Sequence, residues 1–102
     1  MVNHLYTKGR AREYRTMDIL RKDGWLASRS AASHGAVDVF AAKGGKILLI
    51  QVKSGRARVK KEELEELVSW GRNSNGDAEV WHFSDGGKVE RRRVYKAKGS
   101  TS

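Results

Sequence analysis

Four polar side chains stand where their chemistry costs free energy unless it is put to use: Glu13, Asp38, Gln51 and Lys53. Asp38 interrupts the apolar stretch "AVDVFAA", a setting in which aspartate is disfavoured. Gln51 and Lys53 close the run "KILLIQVK", and residues two apart on a strand point to one face. Glu13 falls with Met17 and Leu20 at i, i+4 and i+7 of a helical pattern. A carboxylate on that core side must be paired or bound to a metal. Converging carboxylate and amide oxygens suit Mg²⁺, with Mn²⁺ expected to substitute. A lysine nearby can orient or help deprotonate a water and offset charge on a phosphorane-like transition state. Such a set fits hydrolysis of a phosphodiester.

Hydrophobic periodicity supplies the elements that must hold these groups. It predicts a helix over 7–22, ended by Asp23-Gly24, then a short strand over 25–29 and a small-residue loop over 30–35. Strands over 36–42 and 46–53 are joined by a glycine pair suited to a tight hairpin. A second helix over 60–72 carries Leu64, Leu67, Val68 and Gly71 on its core face. Its early glutamates, Glu62, Glu63, Glu65 and Glu66, read as a response to the helix dipole. Strands over 78–84 and 88–95 flank a turn at Asp85-Gly86-Gly87. The order αβββαββ predicts an α+β (α/β) domain, a central mixed sheet flanked by helices, with the second helix as a crossover if strands three and four are parallel. Trp81 and Phe83 alternate onto the core side, and Trp70 beside the Leu67/Gly71 stripe is expected to be partly exposed at a dimer contact.

The hairpin brings the chemistry together. Asp38 is six residues before Gly44 and Gln51 six after Gly45, so the two lie roughly opposite. Taken alone, Glu13 could equally pair with Arg10 or Arg12, and Lys53 could be a solvated strand-end lysine. It is the combination that points to a site.

Charge identifies the partner's class. Twenty-one Lys and Arg against twelve Asp and Glu give +9, which predicts an acidic partner, most often nucleic acid. Basic residues cluster at Lys8, Arg10, Arg12 and Arg15, and again at Arg56, Arg58, Lys60 and Lys61. Alternation sends Arg92 to the face opposite Arg91 and Arg93. There is no nucleophile–histidine–acid arrangement, no phosphate-binding glycine loop and no cysteine for zinc or disulfides.

The stretch "VDVFAAKGGKILLIQVKSG" resembles the PD-(D/E)-X-K nuclease signature, with Asp38 as its aspartate and Gln51-Val52-Lys53 in place of (D/E)-X-K. With "GRARE" and "RSAASHGAVD" upstream, roughly residues 7 to 95 look most like the archaeal-type Holliday junction resolvases. The resemblance implies a restriction-endonuclease-like fold. It also implies a metal-dependent endodeoxyribonuclease that resolves four-way DNA junctions by paired phosphodiester hydrolysis. It sets Glu13, Asp38, Gln51 and Val52 around Mg²⁺ and Lys53 beside the water, with Ser33 or Ser30 as an assisting serine. Arg29 and His34 join the DNA-contact candidates with Lys8, Arg10, Arg12, Arg15, Ser30, Arg56, Arg58 and Lys60. It further implies a homodimer with no small-molecule cofactor beyond the metal. Two positions depart from the pattern: Val37 stands where a proline is usual, and Gln51 where an acid is expected. The rival readings are a Mrr-like nuclease with another DNA substrate and a non-catalytic branched-DNA or RNA-binding module.

The expected organisation is a single nuclease domain over 1–95 and a basic, flexible tail over 96–102. Without an apolar run long enough to span a bilayer or a signal-peptide core, the expected setting is intracellular and cytoplasmic, with no membrane partner.

Overall fold

In the computed structural model the chain is described over residues 4–30 and 35–99, with side chains described from residue 9 onward. The elements follow in the order α1 (His4–Lys22), β1 (Leu26–Arg29), β2 (Val39–Lys43), β3 (Lys46–Ser54), α2 (Lys61–Ser74), β4 (Asp77–Phe83) and β5 (Val89–Tyr95). The order αβββαββ is as the periodicity predicts. The strands form one mixed sheet in the order β1-β2-β3-β4-β5. Neighbours are antiparallel except β3 and β4, which run parallel with α2 as the crossover between them.

Both faces of the sheet are covered, which is why "ILLI" in β3 runs apolar without alternation. Leu48 and Ile50 face α1, where they join Met17, Leu20, Val39, Trp81 and Phe83. Leu49 faces the α2 side with Ala36, Val37, Leu67, Ala78 and Val80. Burying Leu20, Leu67, Ile50, Trp81 and Phe83 to within 1% of full burial contributes roughly 1.5–3 kcal/mol for each aliphatic or Phe side chain.

Local signals fix where the elements stop. Gly44 and Gly45 take φ of 55° and 81°, the two positive values a tight two-residue hairpin requires, and Lys43 pairs with Lys46 across it. Asn75 (φ 54°) ends α2 two residues beyond the expected Arg72, with the Gly76 amide donating to the Gly71 carbonyl at 3.0 Å. β2 starts at Val39 rather than at Ala36, because Ala36 and Val37 are buried under α2 outside the ladder. The segment expected to fray from Lys96 is held further than predicted. Ala97 and Lys98 donate backbone N–H groups to Asp77 Oδ1 (2.8 Å) and Asn75 Oδ1 (2.9 Å).

Candidate functional site

The β2–β3 hairpin carries the first part of the site. Register pairs Val39 with Ile50, and the Asp38 amide donates to the Ile50 carbonyl at 2.8 Å, so Asp38 stands beside Gln51 as the turn arithmetic predicts. Asp38 Oδ2 accepts two hydrogen bonds, from Val52 N (2.8 Å) and Gln51 Nε2 (3.1 Å). Its pKa is nonetheless pushed up to about 6. Burial is the main cause, opposed by the Val52 N–H; the nearby charges of Glu13 and Glu63 raise it further and that of Lys53 lowers it.

Gln51 is 4% exposed, and its Oε1 is buried with no hydrogen-bond partner. Turning the amide over would only move the deficit, leaving an N–H group orphaned and Oε1 against Asp38. A buried amide oxygen without a donor costs about 1–3 kcal/mol, and a cation beside Asp38 would remove that cost. Among the described residues no three Asp, Glu or His side chains converge as a ready-made cage. The donor set is therefore one half-buried carboxylate and one buried amide oxygen, which suits a hard cation that keeps most of its waters.

Lys53, next on the same face, meets a carboxylate the sequence reading assigned only to the helix dipole. Its Nζ lies 3.1 Å from Glu63 Oε2, and Glu63 Oε1 accepts from Lys60 N at 3.0 Å. Glu63 is thereby held below the usual carboxylate range, first by the Lys60 amide and then by Lys53. The signal for it was its place in the first turn of the helix that directly follows the Lys53 strand.

On the other side Glu13 projects from α1 and pairs with Arg29 at the end of β1 (3.1 Å), a partner that helical spacing does not point to. Arg29 also lies 5.2 Å from the Tyr14 ring centroid. Ser30 N donates to the Asp38 carbonyl at 2.9 Å, tying the end of β1 to the site. Glu13 thus reaches Asp38 through its charge and touches Arg29 directly.

The basic candidates divide by environment. Arg12, expected to contact DNA, turns inward: its guanidinium lies 5.6 Å from the Phe83 ring, Nη2 donates to the Ser84 carbonyl at 3.3 Å, and Nε is buried. Arg10, Arg15, Arg56, Arg58 and Lys60 are exposed. Ser33 and His34 lie outside the described residues, as does the side chain of Lys8. Two residues the sequence reading left out of the site sit beside Lys53: His82, its register partner on β4, and Arg92 on β5. No described helix is long and apolar enough to cross a membrane.

Comparison with known proteins identifies the family of the chain. The profile of the archaeal Holliday junction resolvase family matches residues 4–94. A crossover junction endodeoxyribonuclease Hjc of Methanocaldococcus jannaschii is 33% identical over 72 residues, covering 68% of this chain and 53% of the relative. The chain thus matches about half the length of that curated relative. The structure of Archaeoglobus fulgidus Hjc, a Holliday junction resolvase from an archaeal hyperthermophile, superposes with a TM-score of 0.75 at 27% identity, over 85% of this chain and 73% of that one. A match to the family profile over residues 4–94, on a fold shared with a solved member, makes this chain a member of the archaeal Holliday junction resolvase family.

Proposed function

We propose that this protein is a metal-dependent endonuclease that resolves four-way DNA junctions by paired hydrolysis of phosphodiesters. The observation that carries the reading is the convergence of Asp38, Gln51 and the Glu63-held Lys53 at one end of the sheet, beside the first turn of α2. Asp38 and Gln51 Oε1 would hold Mg²⁺ (or Mn²⁺), with Glu13 close enough to contribute through its charge. Bound there, the cation supplies Lewis-acid charge at the scissile phosphate. The chain's own groups do the remaining work. Glu63 keeps the Lys53 ammonium aimed, and Lys53 Nζ donates to a phosphoryl oxygen or to the attacking water. Water oxygen forms the new P–O bond and the sugar oxygen leaves. Arg29, exposed arginines and the net charge of +9 orient the backbone, so shape is read more than sequence.

Action as a pair of copies completes the proposal, since a two-fold dimer suits a two-fold junction. An apolar strip supports it: Leu26 is 78% exposed, Trp70 45% and Ile47 38%, with Trp70 edge-on to Phe40 at 5.9 Å. Sedimentation giving a monomer at assay concentration would sink the dimer. Beside Asp38, among the described residues, the amide of Gln51 stands where a second carboxylate would be expected, which favours one rival, a module that binds branched DNA without cutting it. Cleavage of a fixed junction beside a linear duplex, in Mg²⁺ and in EDTA, decides: paired symmetric nicks lost in Asp38→Asn and Lys53→Ala support the nuclease, and tight binding without cleavage even in Mn²⁺ supports the module.

A further inference from the structure

The run Arg91-Arg92-Arg93 is split by strand alternation into two roles. Arg91 and Arg93 turn toward the buried Glu79, at 3.4 and 3.5 Å, and Arg91 also covers the Trp81 ring at 4.2 Å. These two arginines neutralise a carboxylate that is 4% exposed. Arg92 turns to the opposite face and makes no hydrogen bond or ion pair among the described residues. It lines a cleft of about 390 Å³ together with Lys53, Arg58, His82 and Glu90.

The cleft is open to an anion and built before one arrives. Lys53 in its lining is already matched by Glu63. Arg58 and Arg92 then face a single carboxylate, Glu90, which forms no ion pair with either among the described residues. One wall is fixed by His82, whose Nε2 lies 2.7 Å from the Gly55 carbonyl. A carbonyl can only accept, so Nε2 carries the proton, and the 3.5 Å approach of Arg58 Nη1 to the same atom is not a bond. Gly55 N donates to the Phe83 carbonyl at 2.9 Å and Ala57 N to the Ser54 carbonyl at 3.1 Å, so little backbone ordering remains for a ligand to impose. The rest of the lining is aliphatic, Ala57, Val59 and Val80, and His82 is the one ring in it, used up on Gly55. The cleft therefore has charge for a phosphate and no platform for stacking a base.

We propose that Arg58 and Arg92 form a subsite for a second backbone phosphate of the DNA strand whose neighbouring phosphate lies at Lys53. The assignment rests on the nuclease reading for what occupies Lys53, and it concerns binding, so the two can fail separately. The test is binding of a fixed four-way junction in EDTA across a salt series, for the unaltered protein, Arg92→Ala, Arg58→Ala and, as control, Lys46→Ala at the far end of β3. One phosphate contact fewer lowers the slope of log affinity against log salt by about 0.9 in each arginine variant. Lys46→Ala leaves it unchanged, and circular dichroism verifies that all four proteins are folded. Slopes that stay equal in all four proteins overturn the subsite. So does a loss in the arginine variants that inorganic phosphate, added at fixed ionic strength, reproduces without DNA release, since the cleft would then serve a free anion. Junction binding with a reduced slope but no cleavage in Mg²⁺ leaves the subsite standing and removes the nuclease reading.

Discussion

Lys53 on β3 and Glu63 on α2 are ten positions apart in sequence and meet at 3.1 Å, with Glu63 also anchored to the Lys60 amide at 3.0 Å. The ammonium that faces the site is thus fixed by the helix that follows its own strand. Glu63→Gln keeps the shape and removes the charge. Its cleavage rate is expected to fall roughly ten- to a hundred-fold, as for other groups that orient a catalytic residue. Junction binding in EDTA should hold or tighten slightly, because a negative charge leaves the cleft. Circular dichroism and the stoichiometry of junction binding in EDTA separate positioning from general damage: loss of positioning lowers the rate per folded molecule, whereas a partly unfolded variant loses binding-competent protein in proportion.

Burial of Asp38 predicts a stability cost that can be measured. Its folded pKa, about 6, lies above the ordinary carboxylate value, so the folded state holds a proton that the unfolded state has released. Between about pH 4 and pH 6 stability therefore falls as pH rises, and the loss is complete above 6. Asp38→Asn removes it, while the new amide can still accept from Val52 N and donate to a turned Gln51. The variant is expected to be about 1–2 kcal/mol more stable than the parent at pH 7.5, after discounting for partial exposure, and close to it at pH 4. Urea midpoints at the two pH values test this, and equal differences at both would refute it.

Gln51→Glu restores the acid that the nuclease pattern expects, at a buried position 3.1 Å from Asp38 Oδ2. Without metal, two carboxylates then compete for one site and a hydrogen bond is lost, so the melting temperature should drop by the equivalent of roughly 1–3 kcal/mol. Millimolar Mn²⁺ should recover most of that drop and raise the parent much less. A variant indifferent to Mn²⁺ would mean that no cation sits between these two residues.

Gly71→Ala tests the fold apart from the site. A methyl group at this buried glycine of α2 would come within 2.8 Å of Tyr95 Cδ2 and 3.2 Å of Ala78 Cβ. Overpacking of this kind costs about 1–3 kcal/mol. Denaturant unfolding should show that loss, with junction affinity per folded molecule unchanged.

The fold was legible where the pattern is local. Periodicity located all seven elements, and the glycine pair alone set the β2–β3 register and so brought Asp38 to Gln51. Strand alternation likewise separated Arg92 from Arg91 and Arg93. What stayed hidden depends on contacts across the fold. Arg12 looked like an exposed cation at a helix start, and only the arrival of the β4–β5 turn at Ser84 and of Phe83 draws it inward. Glu63 looked like one of four dipole-matching glutamates, because nothing local says which of them the crossover turns toward Lys53. The Glu13–Arg29 pair joins α1 to the end of β1, sixteen positions on, where the sequence offered the nearer Arg10 and Arg12 instead.

The glycine turn at the other end of the β2–β3 hairpin has a practical consequence. Gln51 lies six strand steps of about 3.3 Å beyond Gly45, so the turn stands about 20 Å from the chemistry. Its two positive-φ glycines bear no contact that a Cβ would meet within 4 Å, which leaves open space around them. A fluorophore or surface tether inserted between Gly44 and Gly45 would therefore report on, or immobilise, the protein while junction DNA approaches the opposite end unhindered.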